Sequence, residues 1–181
     1  MPQILWRCSI DAKVDFYNKR FTEVLGRDWR KVIERQDWIE DFHPDDRGWY
    51  LERVRETFAA GVELKATVRL RQADGSYRWT ALIGRPLLDA DGKAIRYYGG
   101  TTDIHDEVMA REELQATRAA LEASRAEVEF FANSVPHILW RANARGEILS
   151  FNARVREVTG IDGNCLREGR RYLEIIHPKD R

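Results

Sequence analysis

Ile4-Leu5-Trp6-Arg7 returns as Ile138-Leu139-Trp140-Arg141, and each quartet begins two residues after a proline, Pro2 or Pro136. From there the two stretches keep register without a gap for about 45 residues. Asn18 meets Asn152, Gly26 meets Gly160, and His43-Pro44-Asp45-Asp46-Arg47 meets His177-Pro178-Lys179-Asp180-Arg181. An ungapped match of this length marks two copies of one supersecondary unit. Only the first half of the unit is present the second time. The expected layout is a full domain over 1–104, a helical linker over 105–134 and a truncated copy over 135–181.

The 181 residues are 43% hydrophobic and 33% charged, enough for one full core and part of another and far from disordered composition. Lys plus Arg and Asp plus Glu both number 30, so no global field draws the chain to nucleic acid or an acidic membrane. No signal peptide and no run of about 18 apolar residues is visible, which points to a cytoplasmic chain without membrane insertion. Cys8 and Cys165 fall at non-equivalent places in the two copies, as expected of unpaired thiols in a reducing compartment.

Outward from the quartet, Gln3 to Ser9 and Val14 to Tyr17 are β-compatible and flank a turn at Asp11-Ala12-Lys13, which predicts a hairpin. Asn18 and Gly26 bracket Lys19 to Leu25 as helix entrance and exit. Short helical turns are expected over Val32 to Phe42. Pro44, Asp45 and Asp46 open a longer helix that runs to Ala60 and is closed by Gly61. From Glu63 to Gln72 the alternation is clean: Leu64, Ala66, Val68 and Leu70 face one way and Lys65, Thr67, Arg69 and Arg71 the other. Asp74-Gly75 and Asp91-Gly92 then turn the chain between strands Ser76 to Leu87 and Ala94 to Thr102. Two strands, helices and three consecutive antiparallel strands make an α+β domain on one five-stranded sheet.

Past Ile104 the composition shifts to Glu, Arg and Ala without Gly or Pro, which predicts a helix from Asp106 to about Asn133. Leu114, Leu121 and Val128 recur every seventh residue, a thin coiled-coil seam that favours a parallel dimer; the plainer alternative is a solvated spacer.

Taken together, Trp6, Asn18, Gly26, the His43-Pro44-Asp45-Asp46 turn, Asp74-Gly75-Ser76-Tyr77-Arg78-Trp79, Asp91-Gly92 and Gly100-Thr101-Thr102-Asp103-Ile104 resemble a PAS domain with its C-terminal PAC portion. The resemblance is full over Pro2 to Ile104 and partial over Val135 to Arg181. His105 departs from it, standing where Thr or Ser usually follows Asp-Ile. Such domains sit in tandem in bacterial sensor histidine kinases and cyclic-nucleotide signalling proteins, so the resemblance implies a sensor whose output domain, a histidine kinase first among the classes, is not in this chain.

The resemblance also implies where a ligand would sit, between the inner sheet face and the short helices. Alternation places Ala66, Val68 and Leu70 there, and similarity to flavin-binding members adds Trp6, Cys8, Thr80, Leu82, Tyr97 and Thr101. These side chains equally describe a filled core. A haem would need an axial ligand, and no histidine lies between Arg47 and Ala60. Gly163-Asn164-Cys165-Leu166-Arg167 is similar to the reactive-cysteine run of light-sensing LOV flavin domains, but Cys165 comes five residues after Gly160, too early, and Lys31 stands there in the first copy. A noncovalent flavin stays open.

No phosphate loop, HExxH, CxxC or activated nucleophile is visible, so catalysis by this segment is not expected. Arg69, Arg71, Arg78 and Arg85 form a basic strip that neighbouring acids cancel, and no groove-reading element accompanies it. The outward Trp79, Ala81 and Ile83 and the unpaired strands of the second copy call for cover, which a homodimer through linker helix and sheet face would supply. Two readings remain: a small-molecule sensor that signals through the helix, and a ligand-free dimerisation scaffold.

Overall fold

The computed structural model describes residues 3–167, which form two compact units divided between Glu112 and Glu113. The turn at His177 to Arg181, Pro2 and the rest of the second copy's match lie outside the described residues.

The first unit is built on a five-stranded antiparallel sheet in the order β2-β1-β5-β4-β3. Its strands are β1 (Ile4–Ser9), β2 (Val14–Tyr17), β3 (Leu64–Arg71), β4 (Tyr77–Leu88) and β5 (Ala94–Asp103). Helices α1 (Arg20–Leu25), α2 (Trp29–Arg35), a 3-10 turn (Trp38–Asp41) and α3 (Pro44–Ala60) run between β2 and β3. The inner sheet face packs on them through Leu64, Val68 and Leu70 of β3, Leu82 of β4, Tyr97 of β5 and Trp6 and Cys8 of β1. On the outer face Ile83 and Tyr98 stay exposed, while Trp79 is half-buried under the Arg69 guanidinium, 5.3 Å from its ring centre.

Local chemistry explains the element ends. Pro44 occupies the first turn of α3, His43 Nδ1 accepts from the Asp45 amide (3.3 Å), and Gly61 closes the helix at φ 66°. Asp46 does more than complement the helix dipole. It is buried and accepts from the Arg69 amide (2.8 Å), Nε (3.0 Å) and Nη2 (2.6 Å), fastening α3 to β3.

Asn18 corrects the expectation of a helix cap. Lys19 holds the position before α1 without any side-chain cap. Asn18 turns back instead, its Oδ1 accepting from the Leu5 amide (3.1 Å) and its Nδ2 donating to the Gln3 carbonyl (2.9 Å). A side chain that satisfies two groups on the neighbouring strand wins over capping one helical N–H.

The described part of the second unit resembles the opening hairpin of the first. Strands β6 (Trp140–Ala142) and β7 (Ile148–Phe151) pair with a register shift between Arg141 and Ala142, as β1 and β2 do between Arg7 and Cys8. Asn152 Oδ1 accepts from the Leu139 amide (2.9 Å) as Asn18 does from Leu5, and Gly160 ends α5 (Arg154–Thr159) at φ 73° as Gly26 ends α1 at φ 70°. A short α6 (Gly163–Arg167) follows. One environment differs: Trp6 is 8% exposed and Trp140 63%.

Between the two copies runs α4 (His105–Ser134), 30 residues without one buried side chain. Leu114, Leu121 and Val128 are all exposed.

Candidate functional site

Between the inner sheet face and the helices lies a cavity of about 50 Å³. Trp6, Cys8, Leu70, Leu82 and Thr101 line it. The other four residues named from sequence do not. Val68 is fully buried and Ala66 packs against the core. The Thr80 hydroxyl donates to the Val68 carbonyl (3.0 Å), and the Tyr97 hydroxyl donates to the carbonyls of Thr57 (3.2 Å) and Val62 (3.1 Å) while its ring stacks on Phe58. Thr80 borders instead a second cleft, of about 90 Å³, which Thr101 also lines and which reaches Asp103.

The main cavity is small because aromatic rings fill it from the helical side. Phe42 stacks on Tyr50 at 4.8 Å, Trp38 meets both edge-on, and Tyr17 lies 4.2 Å from Phe21. Pockets for drug-sized ligands start at about 300 Å³. A flavin would need these rings to move; a molecule of a few heavy atoms would not.

Its charged character comes from a residue not foreseen from sequence. Asp41 lines the cavity with its side chain 3% exposed, and its Oδ1 accepts from Arg27 Nη1 (2.6 Å). The same guanidinium reaches Asp37 at 2.8 Å. Burial pushes the Asp41 carboxyl above the usual carboxylate range, outweighing the Arg27 contact. Asp41 Oδ2 and the Trp6 indole N–H meet no partner within the protein. Each such group costs about 1–3 kcal/mol when left unmet. Charged residues in a short helical stretch look like surface, and no spacing rule singles out Arg27, Asp37 and Asp41. Burial likewise raises the Cys8 thiol to about 12, far from a reactive cysteine.

A second constellation joins sheet to helix. Arg78 on β4 donates from Nε to Asp103 Oδ2 (2.6 Å) at the end of β5 and from Nη2 to Asp106 Oδ1 (2.9 Å) in the first turn of α4. Asp103 Oδ1 accepts from the His105 amide (2.9 Å). Burial works against the Asp103 charge, yet Arg78 and that amide together hold its carboxyl below the ordinary value. The His105 ring accepts at Nδ1 from the Trp79 amide (3.4 Å), a further tie between β4 and the start of α4.

Residues 14–101 match the family model described as the PAS fold. The first unit is a PAS domain. It is similar to domains of histidine kinases. The chain is 28% identical over 170 residues, 94% of its length, to the peroxide stress-activated histidine kinase mak1 of Schizosaccharomyces pombe, and it spans 10% of that kinase. Among solved structures, a domain from Haloarcula marismortui described as belonging to a light and redox sensing histidine kinase is 25% identical, with a TM-score of 0.50, covering 57% of this chain and 90% of that one. The N-terminal domain of a diguanylate cyclase with PAS/PAC sensor from Marinobacter aquaeolei shares the fold at 22% identity and TM-score 0.53, covering 59% of this chain and 98% of that one. Among the described residues of this PAS-containing chain, no helix is long and apolar enough to cross a membrane, and no group of three or more His, Cys, Asp or Glu is placed to hold a metal ion.

Proposed function

We propose that the PAS domain binds a small molecule in the cavity under β1 and β5 and relays its occupancy through Asp103, Ile104 and His105 to α4, and from there to an output domain. A histidine kinase is the output class its relatives favour. The observation that carries this reading is the Arg78 clamp. One guanidinium holds both the last strand of the sheet and the first turn of the helix, so a shift of β5 against β4 cannot leave the start of α4 unaffected. Thr101 of the same strand borders the cavity and the cleft beside Asp103, which gives an occupant a path to that clamp. The reading extends to a cytoplasmic homodimer joined through α4 and the outer sheet face, with residues 135–181 as the first half of a second PAS domain.

A ligand-free dimerisation scaffold is the second reading, favoured by the small cavity and the exposed seam of α4. Hydrogen exchange separates the two. Arg78→Ala is expected to speed exchange in the first turns of α4 and leave the β3–β4 amides unchanged. A chain of clean apo mass in native mass spectrometry, with α4 equally protected in both proteins, would overturn the relay.

A further inference from the structure

Beside the buried cavity the PAS domain carries an open groove of about 850 Å³, walled by the β1–β2 turn, the C-terminal half of α3 and the β4–β5 turn. Each of these three elements brings one cation to it: Lys13, Arg55 and Lys93. All three side chains are exposed, and among the described residues none of them forms an ion pair. On the sheet, by contrast, Arg7, Arg69, Arg78 and Arg85 each meet a carboxylate. Asp11 is the one acid among the residues that border the groove, so its charge does not balance. The turns that carry the lysines are fixed: the Lys13 carbonyl accepts from the Ser9 amide (2.9 Å), and the Lys93 carbonyl from the Asp89 amide (2.9 Å).

The rest of the groove is largely apolar. Ile10 and Leu51 line it while exposed to water, together with Trp38 and the buried Val54 and Phe58. A neutral apolar guest would dry this wall and leave the cations without a partner. A compact anion would do the reverse. The C-terminal end of α3, Ala59 to Gly61, also borders the groove, and its partial negative charge joins Asp11 in opposing a multiply charged guest. A single negative charge on an apolar chain meets both demands, since a cleft lined by one sign of charge gathers the opposite sign and apolar surface gains by leaving water. We infer that the groove takes an amphiphilic monoanion, a carboxylate on an alkyl chain of medium length. Its head is held by the field of Lys13, Arg55 and Lys93, and its chain covers Ile10 and Leu51. The volume lies within the range of about 300–1,000 Å³ usual for small-molecule sites. Groove and cavity share Trp38, Val54 and Phe58 as a wall, but none of the three cations borders the cavity, so this is a second site.

Titration of the full ¹⁵N-labelled chain with octanoate, octylammonium and acetate tests it, at about pH 7, where both carboxylates are ionised and the amine is protonated. The amide signals of Gly61 and Gly92, which border the groove, are the reporters. Octanoate is expected to shift both saturably, octylammonium to need at least about tenfold more, and acetate to leave both in place. Raising sodium chloride from about 0.05 to 0.5 M is expected to weaken octanoate, because exposed cations are screened. Arg55→Glu and Lys93→Glu, surface changes outside the cavity wall, are each expected to weaken it by about tenfold. If one variant does not fold the other decides, and the comparison of probes on the natural chain stands without either. Equal binding of octanoate and octylammonium would overturn the charge class. Unchanged octanoate affinity in the variants would put the anion elsewhere and overturn the site, as would no saturable shift at all; the relay is judged separately by exchange at α4.

Discussion

The indole of Trp6 occupies the space that a side chain at residue 99 would need: a Cβ built on Gly99 would lie 2.1 Å from the ring. The two residues face each other across β1 and β5, and Gly84 on β4 makes room for the same indole. Glycine at 99 is a demand for volume, not for backbone freedom. Gly99→Ala forces the ring out of its slot and is expected to cost at least about 1–3 kcal/mol, measured by urea denaturation. In a double-mutant cycle with Trp6→Leu most of that cost should disappear; full additivity would show that the contact is not the cause.

Gln36 supports the β2 end of the sheet. Its Oε1 accepts from the Val14 amide (2.9 Å) and its Nε2 donates to the Val14 carbonyl (2.8 Å), from a residue at φ 54°. Gln36→Ala is expected to lose about 1–3 kcal/mol by stranding both groups. Gln36→Gly loses the same hydrogen bonds but relieves the left-handed backbone, so it should be the more stable of the two. Thermal melts of the pair give the order.

Stability should fall in acid through Asp46. Its hydrogen bonds to Arg69 hold its carboxyl below the ordinary value. That contribution is present above the unfolded-state value of about 3.9 and is lost as pH drops from there through the lower folded-state value. Asp46→Asn should be less stable than the natural chain at neutral pH, and the two unfolding midpoints should converge below about pH 4. Parallel curves across that range would assign the acid transition to other carboxylates.

The two thiols should react unequally. Cys165 is exposed, whereas Cys8 is buried with its thiol raised to about 12. At pH 8 only about one Cys8 in ten thousand is ionised. Ellman's reagent should titrate one thiol in the folded chain and two in denaturant; fast reaction of both before unfolding would contradict the packing of β1.

Along α4 the exposed Leu114, Leu121 and Val128 propose their own partner, the same helix of a second chain. Leu121→Lys should shift sedimentation equilibrium from dimer to monomer without changing the helix content of the first unit. A natural chain already monomeric at high concentration would dismiss the seam.

Much of this architecture could be read along the chain. Alternation over 64–71 named the buried face of β3, Asp-Gly pairs placed both later hairpins, and Pro44 and Gly61 bounded α3 as the structure has them. These signals are local: each depends on a few neighbouring residues and the period of one element. The cavity was only half legible for the same reason. Inward-facing strand residues follow from the period of two, but whether one lines a void or fills it depends on which ring arrives from α3 or the 3-10 turn, as Phe58 does against Tyr97.

Amino-acid order by itself determined the element types, the repeat and the strand faces, because propensity, turn chemistry and periodicity act over short distances. Tertiary structure alone decided that Asn18 ties down β1, that Gln36 pairs with Val14, that Arg27 leaves one oxygen of Asp41 unmet, and that Arg78 locks strand to helix. These are meetings of residues 13 to 28 positions apart, each made by at least one side chain. Close packing selects them from many chemically equivalent alternatives, and no local preference encodes that choice.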